Sequence, residues 1–171
     1  MNIENQFFSN QKTRSGFVAI IGAPNAGKST LMNFIVGAKV SIVTPKVQTT
    51  RTRIKGIAMV ADSQIIFIDT PGIFAPKRRL DRAMVNAAWQ GTDEADVILL
   101  LHDCARSSSD EETKNIINRI ENIQREFPNQ KFALILNKID LVKPENLLGK
   151  ASKLAKIINF EKIFMISAKK G

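Results

Sequence analysis

Eight residues constrain this chain more than any others: Gly22-Ala23-Pro24-Asn25-Ala26-Gly27-Lys28-Ser29. They match in full the pattern G-x-x-x-x-G-K-[ST], and they stand between an apolar run ending at Gly22 and a helix-like run beginning at Lys28. The setting matters, because the pattern works only as a turn from a strand into a helix. Its glycines let the backbone close around phosphate oxygens, so that amide N–H groups and the helix N-terminus face the anion. Lys28 supplies a mobile positive charge for β- and γ-phosphates, and the Ser29 hydroxyl is placed to ligate Mg2+. Thr30, next along, completes this candidate phosphate-binding set. The loop alone does not separate ATP from GTP.

Around it, strand-like and helix-like runs alternate, which predicts a three-layer α/β fold with a mostly parallel sheet. Six strands are expected, over 16–22, 54–60, 64–69, 97–103, 131–137 and 162–167, with helices over 28–36, 80–92, 110–127 and 144–159. The first helix is expected to turn Leu31, Phe34 and Ile35 inward, and the third to turn Ile116, Ile117, Ile120 and Ile123 inward. Only Asp62 and Ser63 join the second and third strands, so these form a hairpin and supply one antiparallel edge strand. No helical run follows the last strand, so the fold is expected to lack its final helix. Residues 1–15 read as a loose lead-in and 16–171 as one domain.

Four further motifs fall at strand ends or in loops. Asp69-Thr70-Pro71-Gly72 closes the third strand; its carboxylate can approach a magnesium ion through the water shell, and Gly72 leaves an N–H for a γ-phosphate oxygen. Asn137-Lys138-Ile139-Asp140 closes the fifth strand and decides the base. The Asp140 carboxylate can accept from guanine N1–H and the exocyclic amine, whereas adenine would leave it desolvated and unpaired. The Lys138 stem can cover the purine face. Ser167-Ala168-Lys169 ends the last strand, and the Ala168 N–H is the candidate donor to guanine O6. Between the first helix and the hairpin lies Val47-Gln48-Thr49-Thr50-Arg51, where Thr50, favoured over Thr49, is a candidate Mg2+ ligand when a γ-phosphate draws the loop inward.

Composition sets bounds on this reading. A length of 171 residues suits one domain with a sizeable core. No run approaches the roughly 18 to 20 apolar residues needed to span a bilayer, and residues 1–15 lack a signal-peptide apolar stretch. One cysteine, Cys104, cannot form an internal disulfide, so a cytoplasmic location is expected. His102 and Cys104 read as core residues, since a metal site there would need more ligands than the neighbourhood offers. The net charge of +9 comes from 25 basic and 16 acidic residues, with clusters at Lys46, Arg51, Arg53 and Lys55 and at Lys77, Arg78, Arg79 and Arg82. Such surface suits RNA or peripheral contact with an anionic inner membrane. The chain is expected to be a monomer.

Together the five motifs resemble those of the P-loop GTPase superclass. The Gly-Ala-Pro-Asn-Ala-Gly-Lys-Ser loop, the stretch from Gln48 to Arg51 and Asp-Thr-Pro-Gly-Ile from Asp69 to Ile73 resemble the Era branch of the TrmE-Era-EngA-like family in particular, from about Gly16 onward. The resemblance implies binding of GTP and GDP with Mg2+, GTP hydrolysis, and a role with the RNA of the small ribosomal subunit. The RNA-binding KH domain of that family has no counterpart in this sequence. Ile73 stands where Ras-like enzymes place a water-orienting glutamine, so slow intrinsic hydrolysis is expected, with Lys28, Thr50 and Gly72 nearest the chemistry. Asn25 matches the loop asparagine that helps hold a potassium ion in related proteins. The alternative is a truncated module that binds GDP and GTP without effective turnover.

Overall fold

A computed structural model describes residues 14–42, 54–68, 70, 89 and 92–170 of the chain. Seven strands form one sheet in the order β2-β3-β4-β1-β5-β6-β7. The strands are β1 (Arg14–Gly22), β2 (Val40–Ile42), β3 (Ile54–Val60), β4 (Ser63–Ile68), β5 (Val97–Asp103), β6 (Lys131–Asn137) and β7 (Lys162–Met165). The helices among the described residues are α1 (Lys28–Lys39), α2 (Ser109–Glu126) and α3 (Pro144–Ala155).

The central strands are apolar on both faces, and successive side chains serve opposite cores. On β1, Phe17, Ala19 and Ile21 face the core beneath α2 and α3, while Val18 and Ile20 face the core beneath α1. On β5, Ile98 and Leu100 join the first core, and Leu99 and Leu101 join the second. Strands β4, β1, β5, β6 and β7 run parallel, so their C-terminal ends gather along one rim. That rim is where ligands bind in open sheets of this kind. Near the opposite rim the connections are tied down: Phe17 N donates to Asp96 Oδ2 at 2.8 Å, and Gln130 Nε2 donates to the carbonyls of Thr92 and Ala95 at 2.7 Å each.

All six expected strands are present, and β3 pairs antiparallel with β4 as the short connection requires. One strand is added. β2 pairs antiparallel with the outer side of β3, so β2 rather than β3 is the edge. Its three residues are too few to show a period. Along α1 the inward stripe is Leu31, Met32, Ile35 and Val36, whereas Phe34, expected inward, is 48% exposed. A stripe of neighbours at i, i+1, i+4 and i+5 leaves position 34 on its rim. α2 buries Ile116, Ile117 and Ile120 and packs Ile123 beside them, as its period predicts. α3 ends at Ala155, short of the expected 159, because a turn from Ile157 N to Leu154 O redirects the chain and sinks Ile158 into the core. Of the helix expected over 80–92, only Trp89 and Thr92 are described; both are buried, and the Thr92 hydroxyl donates to Trp89 O at 2.6 Å.

Candidate functional site

The phosphate-binding loop leaves β1 and enters α1 by a tight turn. Gly22 has φ +154°, and a Cβ there would stand 2.4 Å from the Leu101 carbonyl oxygen of β5. Gly27 has φ +102°, and its Cβ would stand 2.4 Å from Asn137 Nδ2. Both positions therefore require glycine twice over, for conformation and for space. Asn25 adopts the left-handed conformation at φ 62°, which asparagine tolerates better than most residues. Ala26 N donates to Ala23 O, and Leu31 N to Gly27 O begins the helix. Lys28 Nζ reaches back over the loop and donates to the carbonyls of Gly22 at 2.9 Å and Ala23 at 2.8 Å. Its ammonium thus lies over the cradle that the loop amides form.

Two parallel strands away, Asn137 ends β6 and binds both flanking loops. Its Nδ2 donates to Ala26 O at 2.8 Å, and its Oδ1 accepts from Ala168 N at 2.9 Å. The side chain is 2% exposed, so these bonds are shielded from water. The sequence reading reserves the Ala168 N–H for guanine O6; here that N–H goes to Asn137, because the amide oxygen lies against the start of the last loop. Lys138, left-handed at φ 62°, turns the chain into a short 3-10 segment, Ile139–Leu141. Its Nζ donates to the Asn25 carbonyl at 2.9 Å and lies 2.6 Å from Asp103 Oδ2.

Asp140 sits on that 3-10 segment, with Lys170 Nζ 3.7 Å from its Oδ2. A hydrogen bond from Ser167 is the chief cause that holds its carboxyl below the usual carboxylate range, and Lys170 adds to it. The base-reading group is therefore an anion, an acceptor-only partner for two N–H donors. Ser167 and Ala168 are buried and Lys169 is exposed at the same rim. Ile139 N to Ile166 O and Ile166 N to Leu136 O lock the base loop to the last loop.

On the phosphate side, Ala23 and Ala26 are buried, Pro24 is half-buried, and Ser29 and Thr30 are exposed on the first turn of α1. Of the motif after β4, Thr70 is buried and its hydroxyl donates to Ile20 O, which pins that segment to β1. Asp69, Gly72 and Ile73, the loop with Thr49 and Thr50, and both basic clusters apart from Lys55 lie outside the described residues; Lys55 is described only as part of β3. Of the candidate Mg2+ ligands, Ser29 is the one described, and its exposed hydroxyl suits a hard, oxygen-seeking cation. His102 and Cys104 serve the core. His102 is fully buried with Nδ1 2.9 Å from Thr113 Oγ1, and burial pushes the Cys104 thiol up to about 11. Among the described residues no group of three metal-ligating side chains occurs, and no helix is long and apolar enough to cross a membrane.

Sequence reasoning missed Asp103. A carboxylate closing a run of apolar strand residues is a visible signal, but its partner becomes evident only from the strand order.

A loop of this shape at the tip of a parallel strand, joined through Asn137 to a base-reading carboxylate, defines a P-loop nucleotide-binding domain with a guanine pocket. Comparison agrees: residues 17–138 match the model of the 50S ribosome-binding GTPases, and the chain belongs to that family. Within this class the chain is similar to GTPase Era. It is 52% identical over 160 residues to GTPase Era of Brucella suis biovar 1, covering 94% of this chain and 50% of that protein. With GTPase Era of Dinoroseobacter shibae the identity is 54% over 159 residues, covering 93% and 51%. The chain thus spans about half the length of the curated relatives it matches. A crystal structure of Era in complex with MgGDPNP and nucleotides 1506–1542 of 16S ribosomal RNA superposes with a TM-score of 0.69 at 40% identity, over 93% of this chain and 53% of that one. Aquifex aeolicus Era bound to GDP.AlF4- gives 0.68, also at 40%, with the same coverage. The translation elongation factor SelB from Methanococcus maripaludis, at 17% identity and a TM-score of 0.67, shares the fold alone.

Proposed function

We propose that this chain binds GTP and GDP with Mg2+ and hydrolyses GTP slowly to GDP and phosphate. The observation that carries the reading is Asn137, whose buried amide joins Ala26 of the phosphate loop to Ala168 of the last loop. Phosphate and base subsites are thereby held at a fixed spacing along one rim. Lys28 and the loop amides would bind the phosphates, Asp140 would accept from guanine, and the Lys138 stem would cover the base. Ser29, with Thr50 and with Asp69 through water, would hold the magnesium ion, which when bound supplies charge stabilisation at the β- and γ-phosphates.

A calorimetric titration of GDP into the chain with Mg2+, with ADP as control, tests this reading. GDP-selective binding is expected; equal binding of ADP, or binding of neither, overturns it. A second reading, binding without effective turnover, is favoured by Ile73, whose side chain can neither accept from nor donate to an attacking water. Single-turnover hydrolysis separates the two, since the second predicts bound GTP that stays intact. Asn25 carries a proposed K+ subsite, and equal hydrolysis in K+ and Na+ would remove it.

The complex of Era with 16S ribosomal RNA supports small-subunit RNA as the partner class, and the net charge of +9 fits a polyanion. A monomer, located in the cytoplasm with peripheral contact at the inner membrane, completes the proposal.

A further inference from the structure

Three neighbouring strands end at the pocket, and the middle one carries a residue that the nucleotide contacts leave unused. β5 lies between β1 and β6: Leu101 stands beside Gly22 on one side, and Asp103 stands beside Asn137 on the other. Asp103 is 4% exposed. Its Oδ1 accepts the Ala105 N–H at 3.0 Å, which fixes the plane of the carboxyl group. Its Oδ2 lies 2.6 Å from Lys138 Nζ, and the same ammonium donates to the Asn25 carbonyl at 2.9 Å.

A lysine on a four-carbon stem has many places to put its charge, including solvent and any phosphate held by the adjacent loop. Lys138 is 31% exposed along its side chain, so water competes for it. A buried, backbone-anchored carboxylate settles that competition, because a charge-assisted bond shielded from solvent is stronger than an exposed one. The consequence reaches the phosphate loop. Asn25 sits left-handed at φ 62°, a conformation that costs a non-glycine residue free energy unless its surroundings hold it. Lys138 holds its carbonyl, and Asp103 holds Lys138.

We infer that Asp103 is a positioning residue for the nucleotide site, acting through Lys138 to fix the Asn25 turn of the phosphate loop and to lay the Lys138 stem where the base rests. This rests on the guanine-nucleotide reading above. Lys138 alone would then be a mobile cation; with Asp103 it is a strut between base loop and phosphate loop.

The experiment is stopped-flow release of a fluorescent GDP analogue from the full chain, its variants Asp103→Asn and Lys138→Met, and the double variant, with thermal unfolding of each. If the unmodified chain fails to bind the analogue, the nucleotide reading fails and Asp103 with it. Given binding, Asp103→Asn is expected to release nucleotide about tenfold faster with little change in unfolding temperature. Lys138→Met leaves the Asp103 carboxylate buried and unpaired, so adding Asp103→Asn to it is expected to slow release again and raise the unfolding temperature. Additive effects of the two substitutions overturn the inference. So does an Asp103→Asn variant that is unstable whether or not Lys138 is present, because Asp103 would then serve the fold rather than the strut.

Discussion

Asp140 and Gly27 show how single residues set what the rim can bind. Asp140 is held ionised, chiefly by Ser167, so its two acceptor positions face a base that brings two donors. Asp140→Asn reverses one donor–acceptor relation, and competition binding is expected to show GDP affinity falling by about 100-fold while xanthosine diphosphate gains. Unchanged guanine preference would remove Asp140 from the base pocket. The depressed pKa also has a definite sign. A carboxyl held below its unfolded value keeps its charge as pH falls from neutrality, and whatever it contributes to stability is lost only as pH drops through the folded pKa. GDP affinity is therefore expected to stay level from about pH 8 to about pH 5 as far as Asp140 is concerned. Gly27→Ala adds a methyl at φ +102° against Asn137 Nδ2. A loss of about 1–3 kcal/mol in unfolding free energy is expected from urea melts, together with weaker GDP binding, since Asn137 must move to admit it.

At the scale of elements, β5 and α2 are joined by apolar packing and by one buried polar tie. Ile117 is fully buried beneath α2, so Ile117→Ala is expected to cost about 2–5 kcal/mol in denaturant unfolding. The tie is His102 on β5, with Thr113 and Asp110 on α2 and Lys150 of α3 donating to Asp110 at 2.7 Å. Nε2 lies 3.2 Å from Asp110 Oδ1 without hydrogen-bond alignment. Burial pushes the imidazole below its usual range, and the Lys150 charge adds to that, against the pull of Asp110 and Asp103. The folded chain thus prefers neutral His102, while the unfolded chain takes up a proton below about pH 6.5. Stability is expected to fall as pH drops from about 7 to about 5.5, and His102→Gln is expected to flatten that slope in thermal melts. The α2 stripe is legible in the sequence because four isoleucines repeat at helical spacing. β2 is not, since three residues carry no period, and Phe34 misleads because an apolar side chain on the rim of a stripe looks like one inside it.

For the whole molecule, a ligand that spans β1, β6 and the last loop binds only the assembled fold. GDP at 100 times its Kd is expected to add about 2.7 kcal/mol to the unfolding free energy and to raise the melting temperature by several degrees. The chemical groups of the site are legible in the sequence because phosphate, Mg2+ and guanine each demand particular residue types at strand ends. Their mutual arrangement is not, because it depends on strand order: Asp103 acquires meaning only when β5 is known to lie between β1 and β6. That order also sets a timetable. The bond from Asn137 to Ala26 closes a separation of 111 residues, and β1 meets β5 only after Asp103 has been made. At a synthesis rate of about 5–20 residues per second, a nascent phosphate loop waits roughly 6 to 22 seconds for the asparagine that seats it. During that interval the ribosome carries a nucleotide-binding motif with no pocket, and occupancy by GTP begins as a late event in the making of the chain.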